Sequence, residues 1–224
     1  MAWNTAETKR RLKESAVAEF AAHGLGGTTM ERIARRAGIN KERLYTYFGD
    51  KSRLFATVLA DELNKVAAAV PLDSLDGPEA VAAYAAAVYD YHAEHPELTR
   101  LLLWEGLLDL PEVPDEDSRT DYYRTKVTAF TRAQQANLIS DDIPAADLAF
   151  LILALAGWWY AVPQMARMMH ADDPATPDTA REALMRAAAK LATSASPWSR
   201  RGGRGRGLRD RDGEQGGGEQ DDEI

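Results

Sequence analysis

The sequence contains no cysteine, which excludes disulfide bonds, thiolate metal sites and cysteine nucleophiles together. It also has no apolar run as long as a membrane span, and its first residues lack the apolar segment of a secretory signal peptide. These absences are typical of a protein that works in a reducing cytoplasm. We therefore expect a cytoplasmic protein with no membrane partner.

Motifs of enzymes are missing as well. The 224 residues contain no Walker-type phosphate loop, no Gly-x-Ser-x-Gly and no His-Glu-x-x-His. His92 and His95 lie one helical turn apart beside Glu94, but the neighbouring sequence offers no further metal ligand. We predict that the chain is not an enzyme and that it needs no metal or cofactor.

Residues 28–51 are the most informative stretch that is present. Apolar residues recur at helical spacing between positions 30 and 37, which predicts a short helix. Thr28 followed by Glu31 predicts a capping box at its start, and Gly38 predicts its end.

A second short helix is predicted directly after this turn. Asn40 is a favoured N-cap residue, and Leu44 and Phe48 share the inward face. The other positions of the helix are mostly polar or cationic. Two short helices joined by a tight turn, the second with a polar face, form a helix-turn-helix that fits the DNA major groove.

This stretch resembles the DNA-binding domain of the TetR family of transcriptional regulators. The resemblance covers roughly the first quarter of the chain and implies an operator-binding regulator, usually with an effector inside its C-terminal bundle. The residues that carry it are Glu19-Phe20, Gly24-Leu25, Thr28-Thr29, Ile33-Ala34, Ala37-Gly38-Ile39, Leu44-Tyr45, Tyr47-Phe48, Lys51-Ser52 and Leu54-Phe55.

The distribution of charge supports a nucleic-acid partner despite a net charge of −8. Residues 1–51 carry ten Lys and Arg against six Asp and Glu, a net +4, whereas residues 52–198 carry eleven against twenty-two. Attraction to phosphate acts over short distances, so we expect DNA to bind at the positively charged residues 1–51.

We predict DNA contacts of two kinds from the helix faces. Glu42 is unusual because it repels phosphate, so we expect it to accept from a cytosine amino group. The roles of Thr29, Tyr45, Tyr47 and Lys51 are also implied by the resemblance. We expect phosphate contacts at Thr28 or Thr29, Lys41, Tyr45, Tyr47 and Lys51, and base-edge contacts at Asn40, Glu42, Arg43 and Thr46.

The whole chain is predicted to be all-α, with about nine helices. An N-terminal three-helix DNA-binding domain is expected over 1–51, a helical ligand-binding and dimerisation domain over 52–195, and a disordered tail over 196–224, which is rich in Gly and charge. The longest apolar helix, over 144–169, contains Gly157 and Pro163, so we expect a kink there.

Two surfaces of the body are predicted to have functions. Its large aromatic residues could enclose an apolar ligand, and we select Tyr91, Trp104, Tyr123 and Trp158 as the lining. The apolar stripes of the last two helices are predicted to pair with a second copy, because a palindromic double-stranded operator requires two recognition helices. The predicted interface residues are Leu148, Leu155, Trp159, Leu184 and Leu191.

The sequence therefore predicts a homodimeric, ligand-responsive repressor that is released from DNA by a small apolar or amphipathic effector of unknown identity. Two alternatives stay open at this stage. One is a DNA-binding regulator of the same kind without a functional small-molecule pocket. The other is a helical enzyme that carries an incidental helix-turn-helix.

Overall fold

The computed structural model describes residues 5–108 and 116–193, and within these ranges every regular element is a helix. The predicted tail over 196–224 lies outside the described residues. The ten helices are α1 (Thr5–Gly27), α2 (Met30–Ala37), α3 (Lys41–Phe48), α4 (Lys51–Ala69), α5 (Pro78–Glu94), α6 (Pro96–Gly106), α7 (Glu116–Gln135), α8 (Ala145–Ala161), α9 (Pro163–Met169) and α10 (Pro177–Ala192).

Helices α1 to α3 pack around a shared apolar core, with α4 closing it. The N-cap of α2 is Thr29, whose hydroxyl accepts from the Arg32 amide at 3.2 Å, so the predicted capping residue Thr28 is wrong by one position. Gly38 ends α2 with φ 65°, a left-handed conformation that glycine adopts without steric cost.

The body is a bundle built around α5. Helix α5 packs on α8 and α10, α7 packs on α8, and α6 lies between α1, α4 and α8. In α5 the side chains of Val81, Ala85 and Val88 are buried, which is why small and branched residues dominate this helix. Close approach of α8 and α10 requires a narrow helix, and the alanine-rich sequence of α5 supplies one.

The predicted helix over 144–169 is two helices, which raises the total from nine to ten among the described residues. Pro163 lacks an amide hydrogen, and the chain bends by 85° between α8 and α9. Within the described ranges no single helix is long and apolar enough to span a membrane. Only the bent pair α8 and α9 reaches that length and composition together.

Helix α6 is less enclosed than its apolar sequence suggests. Leu98 and Leu101 are fully buried, but Leu103 and Leu107 are exposed to solvent. The helix ends at Gly106. One face of α6 therefore packs against α1 and the bundle, while its C-terminal part borders an opening described below.

Candidate nucleic-acid interface and internal cavity

The recognition helix α3 is held by one deeply buried residue. Leu44 is fully buried beneath the helix, and Gly49 ends the helix with φ 72°. The Asn40 side chain accepts the Glu42 amide at 2.9 Å and so caps the N-terminus. With one anchored face, the opposite face of α3 is free to enter a groove.

The four residues predicted to contact base edges share this outer face. Asn40, Glu42, Arg43 and Thr46 are all exposed. Thr46 donates its hydroxyl to the Glu42 carbonyl at 2.8 Å, which leaves the oxygen free to accept. Arg43 has no ion pair within the described part of the chain and has the donor geometry that reads guanine.

The predicted phosphate contacts differ in how accessible they are. Thr29 is exposed at the start of α2, whereas Thr28 is only 1% exposed and donates its hydroxyl to Glu19 at 3.0 Å. The ammonium of Lys51 donates to the Thr28 carbonyl at 3.0 Å. The structure thus places Thr28 inside the module, with Lys51 joining the starts of α2 and α4.

Lys41, Tyr45 and Tyr47 lie along the flank of α3. Lys41 forms an ion pair with Glu31 on α2 and stands over the Tyr45 ring. This exposed pair is weak enough for Lys41 to exchange Glu31 for a phosphate. Tyr45 is exposed, and Tyr47 is partly exposed, with the Lys9 ammonium 5.3 Å from its ring centre.

A buried carboxylate, Glu19 of α1, organises the module from within. Its oxygens accept the Thr28 hydroxyl and lie 3.2 Å from Arg32 Nε and 3.6 Å from Arg36. Two cations on α2 therefore compensate one buried acid on α1, as a buried charge requires. Glu19 was part of the family resemblance, but the sequence did not predict this role.

Helix α6 is fastened to α1 at a single backbone carbonyl. The Ala21 carbonyl accepts from Arg100 Nε at 2.6 Å and from Trp104 Nε1 at 3.2 Å. It is available because α1 is kinked at Gly24, where φ is 66° and ψ is −179°. A Cβ on Gly24 would lie 2.7 Å from the Trp104 ring, so only glycine fits this joint.

Pockets that bind drug-sized molecules have volumes of about 300–1,000 Å³. The body contains a cavity of ≈ 610 Å³ between α4, α5, α6, α7 and α8. Its walls are mainly apolar. Leu63 and Val66 come from α4, and Leu98 and Leu102 come from α6. The two helices that touch the DNA-binding module therefore also form walls of the cavity.

The predicted cavity residues divide into two pairs. Tyr123 and Trp158 line the cavity, and Trp158 is exposed at its edge. Tyr91 is buried elsewhere and packs on the His95 ring, with the ring centres 4.2 Å apart. Trp104 packs on Gly24 at the joint with α1, because its indole follows the outer face of α6.

Lys126 of α7 is the main feature of the cavity that was not predicted. It is 6% exposed and donates to the Tyr84 hydroxyl at 2.7 Å. Burial lowers the pKa of Lys126 to about 8 and raises the pKa of Tyr122, whose ring lies 4.5 Å from the ammonium, to about 12. The sequence offered a clue, since Tyr122, Lys126 and Phe130 recur every fourth residue along one helix face.

His92 lies on the α5 wall of the cavity. Its Nδ1 is 2.8 Å from the Thr99 hydroxyl, and burial lowers its pKa, which favours the neutral ring. Across residues 5–108 and 116–193, no three His, Asp or Glu side chains stand close enough together to hold a metal ion.

An exposed apolar surface runs along α8 and α9. Leu155 is exposed and Trp159 is partly exposed, whereas Leu148 is fully buried against the bundle. On α10, Leu184 is buried and Leu191 is partly exposed. The exposed members of this surface are Phe150, Leu151, Leu155, Trp158, Met165, Met168 and Met169.

Comparison with known proteins finds one match to the DNA-binding module and another to the helical bundle that follows it. Residues 12–58 match the family model of bacterial regulatory proteins of the tetR family. Residues 80–190 match the model of the tetracyclin repressor-like C-terminal domain.

Individual proteins match over most of their length. The chain is 42% identical over 185 residues to the HTH-type transcriptional repressor SCO4008 of Streptomyces coelicolor, covering 82% of this chain and 94% of that protein. The solved structure of SCO4942 from the same organism matches with a TM-score of 0.70 at 30% identity, over 82% of this chain and 97% of that one. The structure of AibR, solved with isovaleryl coenzyme A and operator DNA, matches with a TM-score of 0.64 at 19% identity, over 80% of this chain and 96% of that one. At this identity the likeness shows the fold alone.

Proposed function

Because the chain belongs to the TetR family, whose members are DNA-binding transcription regulators rather than enzymes, we propose that it is a ligand-released repressor. In this proposal it works as a homodimer in the cytoplasm and occupies a palindromic operator. A small apolar or amphipathic molecule binds inside the bundle and releases the protein from DNA.

The observation that carries the proposal is the position of the cavity. Helices α4 and α6 form two of its walls, and both contact α1 of the DNA-binding module. A ligand that prefers a wider cavity would move these helices and change the separation of two recognition helices in a dimer. A ligand can shift the DNA-binding equilibrium only by its difference in affinity for the two conformations.

The DNA contacts in this proposal come from the exposed face of α3 and the start of α2. Arg43, Thr46 and Asn40 read bases, while Thr29, Tyr45 and Lys41 hold phosphates. Lys51 would act mainly by fixing the start of α4 against the Thr28 carbonyl. Replacing Arg43 by alanine should then relax sequence selectivity more than it reduces the salt dependence of binding.

The decisive experiment measures linkage between ligand and operator. An operator is first selected from random-sequence DNA with the full chain, and a ligand is found by a thermal-shift screen of apolar compounds. Ligand affinity is then measured with and without saturating operator. A coupling of about 1–3 kcal/mol weakens both affinities roughly 5- to 150-fold. Equal ligand affinities in the two conditions would support the regulator without a functional pocket.

The homodimer is proposed from the exposed apolar surface on α8 and α9. Seven large apolar side chains are exposed on these two helices, and such a surface suits a self-complementary interface. Leu155→Glu should produce monomers that lose operator binding, measured by sedimentation velocity and gel shift. Leu138→Glu is the matched control, because Leu138 is equally exposed but lies after α7. A dimer that survives Leu155→Glu would place the interface elsewhere.

A further inference from the structure

Lys126 is a buried cation without a buried acid beside it. Its ammonium donates to Tyr84, and no Asp or Glu of the described ranges lies within ion-pair distance of it. Among the described residues that line the cavity, none carries a carboxylate. An ammonium has three donors, so at least two remain for an acceptor that the described part of the chain does not supply.

The surroundings stabilise the charge only in part. The rings of Tyr84 and Tyr122 lie 5.0 and 4.5 Å from Lys126 Nζ, close enough for cation–π attraction. The pKa of about 8 still leaves most of the side chain protonated at neutral pH. A neutral acceptor would form a weaker hydrogen bond with this ammonium than an anion would, and a cation would be repelled by it.

The rest of the cavity favours an apolar body attached to such a head. Leu63, Leu98, Leu102 and Leu153 supply aliphatic walls on three sides. Apart from Lys126, polar groups are few, and the Thr99 hydroxyl is already engaged with His92. A volume of ≈ 610 Å³ exceeds what a bare anion would need.

We propose that the cavity binds an amphipathic monoanion, whose carboxylate or similar head pairs with Lys126 while its apolar body lies against α4, α6 and α8. The inference deepens the proposed function by naming the class of effector. It concerns binding alone, so it can fail while the regulatory proposal stands, and the reverse is also true.

The test compares three probes of equal chain length by isothermal titration of the full chain: sodium decanoate, 1-decanol and decyltrimethylammonium. Wild-type protein should bind decanoate most tightly. Lys126→Met should weaken decanoate binding roughly 10- to 100-fold, the range expected for one charge-assisted hydrogen bond, and weaken decanol binding by a clearly smaller factor. Lys126→Arg should retain most of the affinity for decanoate.

Lys190→Met is the matched control, because Lys190 is an exposed lysine of α10 outside the cavity. It should bind all three probes as wild type does. If Lys126→Met does not fold, the proposal is still tested by two measurements. These are the affinity of Lys126→Arg for decanoate and the order of the three probe affinities in the wild type. The proposal is overturned if decanol or decyltrimethylammonium binds wild type as tightly as decanoate, if no probe binds, or if Lys126→Met keeps wild-type affinity for decanoate.

A gel shift with the selected operator separates the two proposals. If decanoate binds through Lys126 but does not release DNA, the inference about ligand class stands and the ligand-released repressor fails. If decanoate releases the operator equally from wild type and Lys126→Met, the repressor stands and the anion site is overturned.

Discussion

Two buried charges, Glu19 in the DNA-binding module and Lys126 in the bundle, have opposite surroundings. Glu19 accepts from the Thr28 hydroxyl and lies against Arg32 and Arg36. Lys126 has one phenol as its hydrogen-bond acceptor and no acid nearby within the described residues. A buried charge is tolerated when it is paired and costs stability when it is not.

The difference separates a structural charge from a binding charge. Glu19 joins α1 to α2 and completes its own network, so it positions the recognition helix. Lys126 leaves its network open toward a cavity, which is the arrangement expected where an external partner supplies the opposite charge. Four substitutions test this contrast, beginning with the joint that connects the two regions.

The largest effect is expected from Gly24→Val at the joint between α1 and α6. A side chain there adopts a backbone conformation that is almost restricted to glycine, and it meets the Trp104 ring at 2.7 Å. Strain and overpacking together should lower the free energy of unfolding by about 2–5 kcal/mol. Urea denaturation measures the change. Gly26→Ala is the control, since a Cβ at Gly26 meets nothing within 4 Å; equal losses would show that the joint is not tightly packed.

The next effect is expected from Glu19→Gln, which keeps the shape of the side chain and removes its charge. Arg32 and Arg36 would then face an uncharged amide, and stability should fall by about 1–3 kcal/mol with weaker operator binding. Glu14→Gln on the same helix, an exposed partner of Arg10, should change little. A full-length variant with wild-type stability and DNA affinity would contradict the positioning role of Glu19.

Lys126→Met should raise the stability of the protein, unlike the two substitutions above, because it removes an uncompensated charge. The folded-state pKa of about 8 lies below that of an unfolded lysine, so the buried charge destabilises the fold fully below pH 8. This destabilisation is lost as the pH rises from about 8 to 10.4, since the unfolded chain then binds more protons. The free energy of unfolding of Lys126→Met should therefore exceed that of the wild type by on the order of 2 kcal/mol at pH 7. This difference should narrow toward pH 10.

Chemical denaturation at several pH values measures that gap. Subtracting the two proteins cancels the titration of tyrosines that they share. A gap that does not depend on pH would mean that Lys126 is not the buried charge that titrates in this window.

The smallest effect is expected from Glu31→Gln, which breaks an exposed ion pair with Lys41. Exposed pairs contribute little to stability, so thermal unfolding should not change measurably. Lys41 would become free for phosphate, and the salt dependence of operator binding should steepen slightly. A clear loss of stability here would remove the contrast between exposed and buried charges on which the comparison rests.

Much of the fold could be predicted from the sequence, because helix periodicity and capping are local properties. The turn at Gly38, the N-cap at Asn40, the buried Leu44 and the exposed face of α3 all follow from residues within a few positions of one another. The break at Pro163 was predicted as a kink for the same reason, although its 85° bend makes two helices.

The roles of individual side chains depended on contacts between distant parts of the chain. Trp104 was predicted for the cavity but reaches Ala21 of α1, and Thr28 was predicted for the surface but meets Glu19. Local sequence determined which residues are helical and which face of each helix is apolar. Only the packing of α1, α6 and α7 against their neighbours decided which buried charge is satisfied and which one faces a cavity, because counter-charges come from residues far away in sequence.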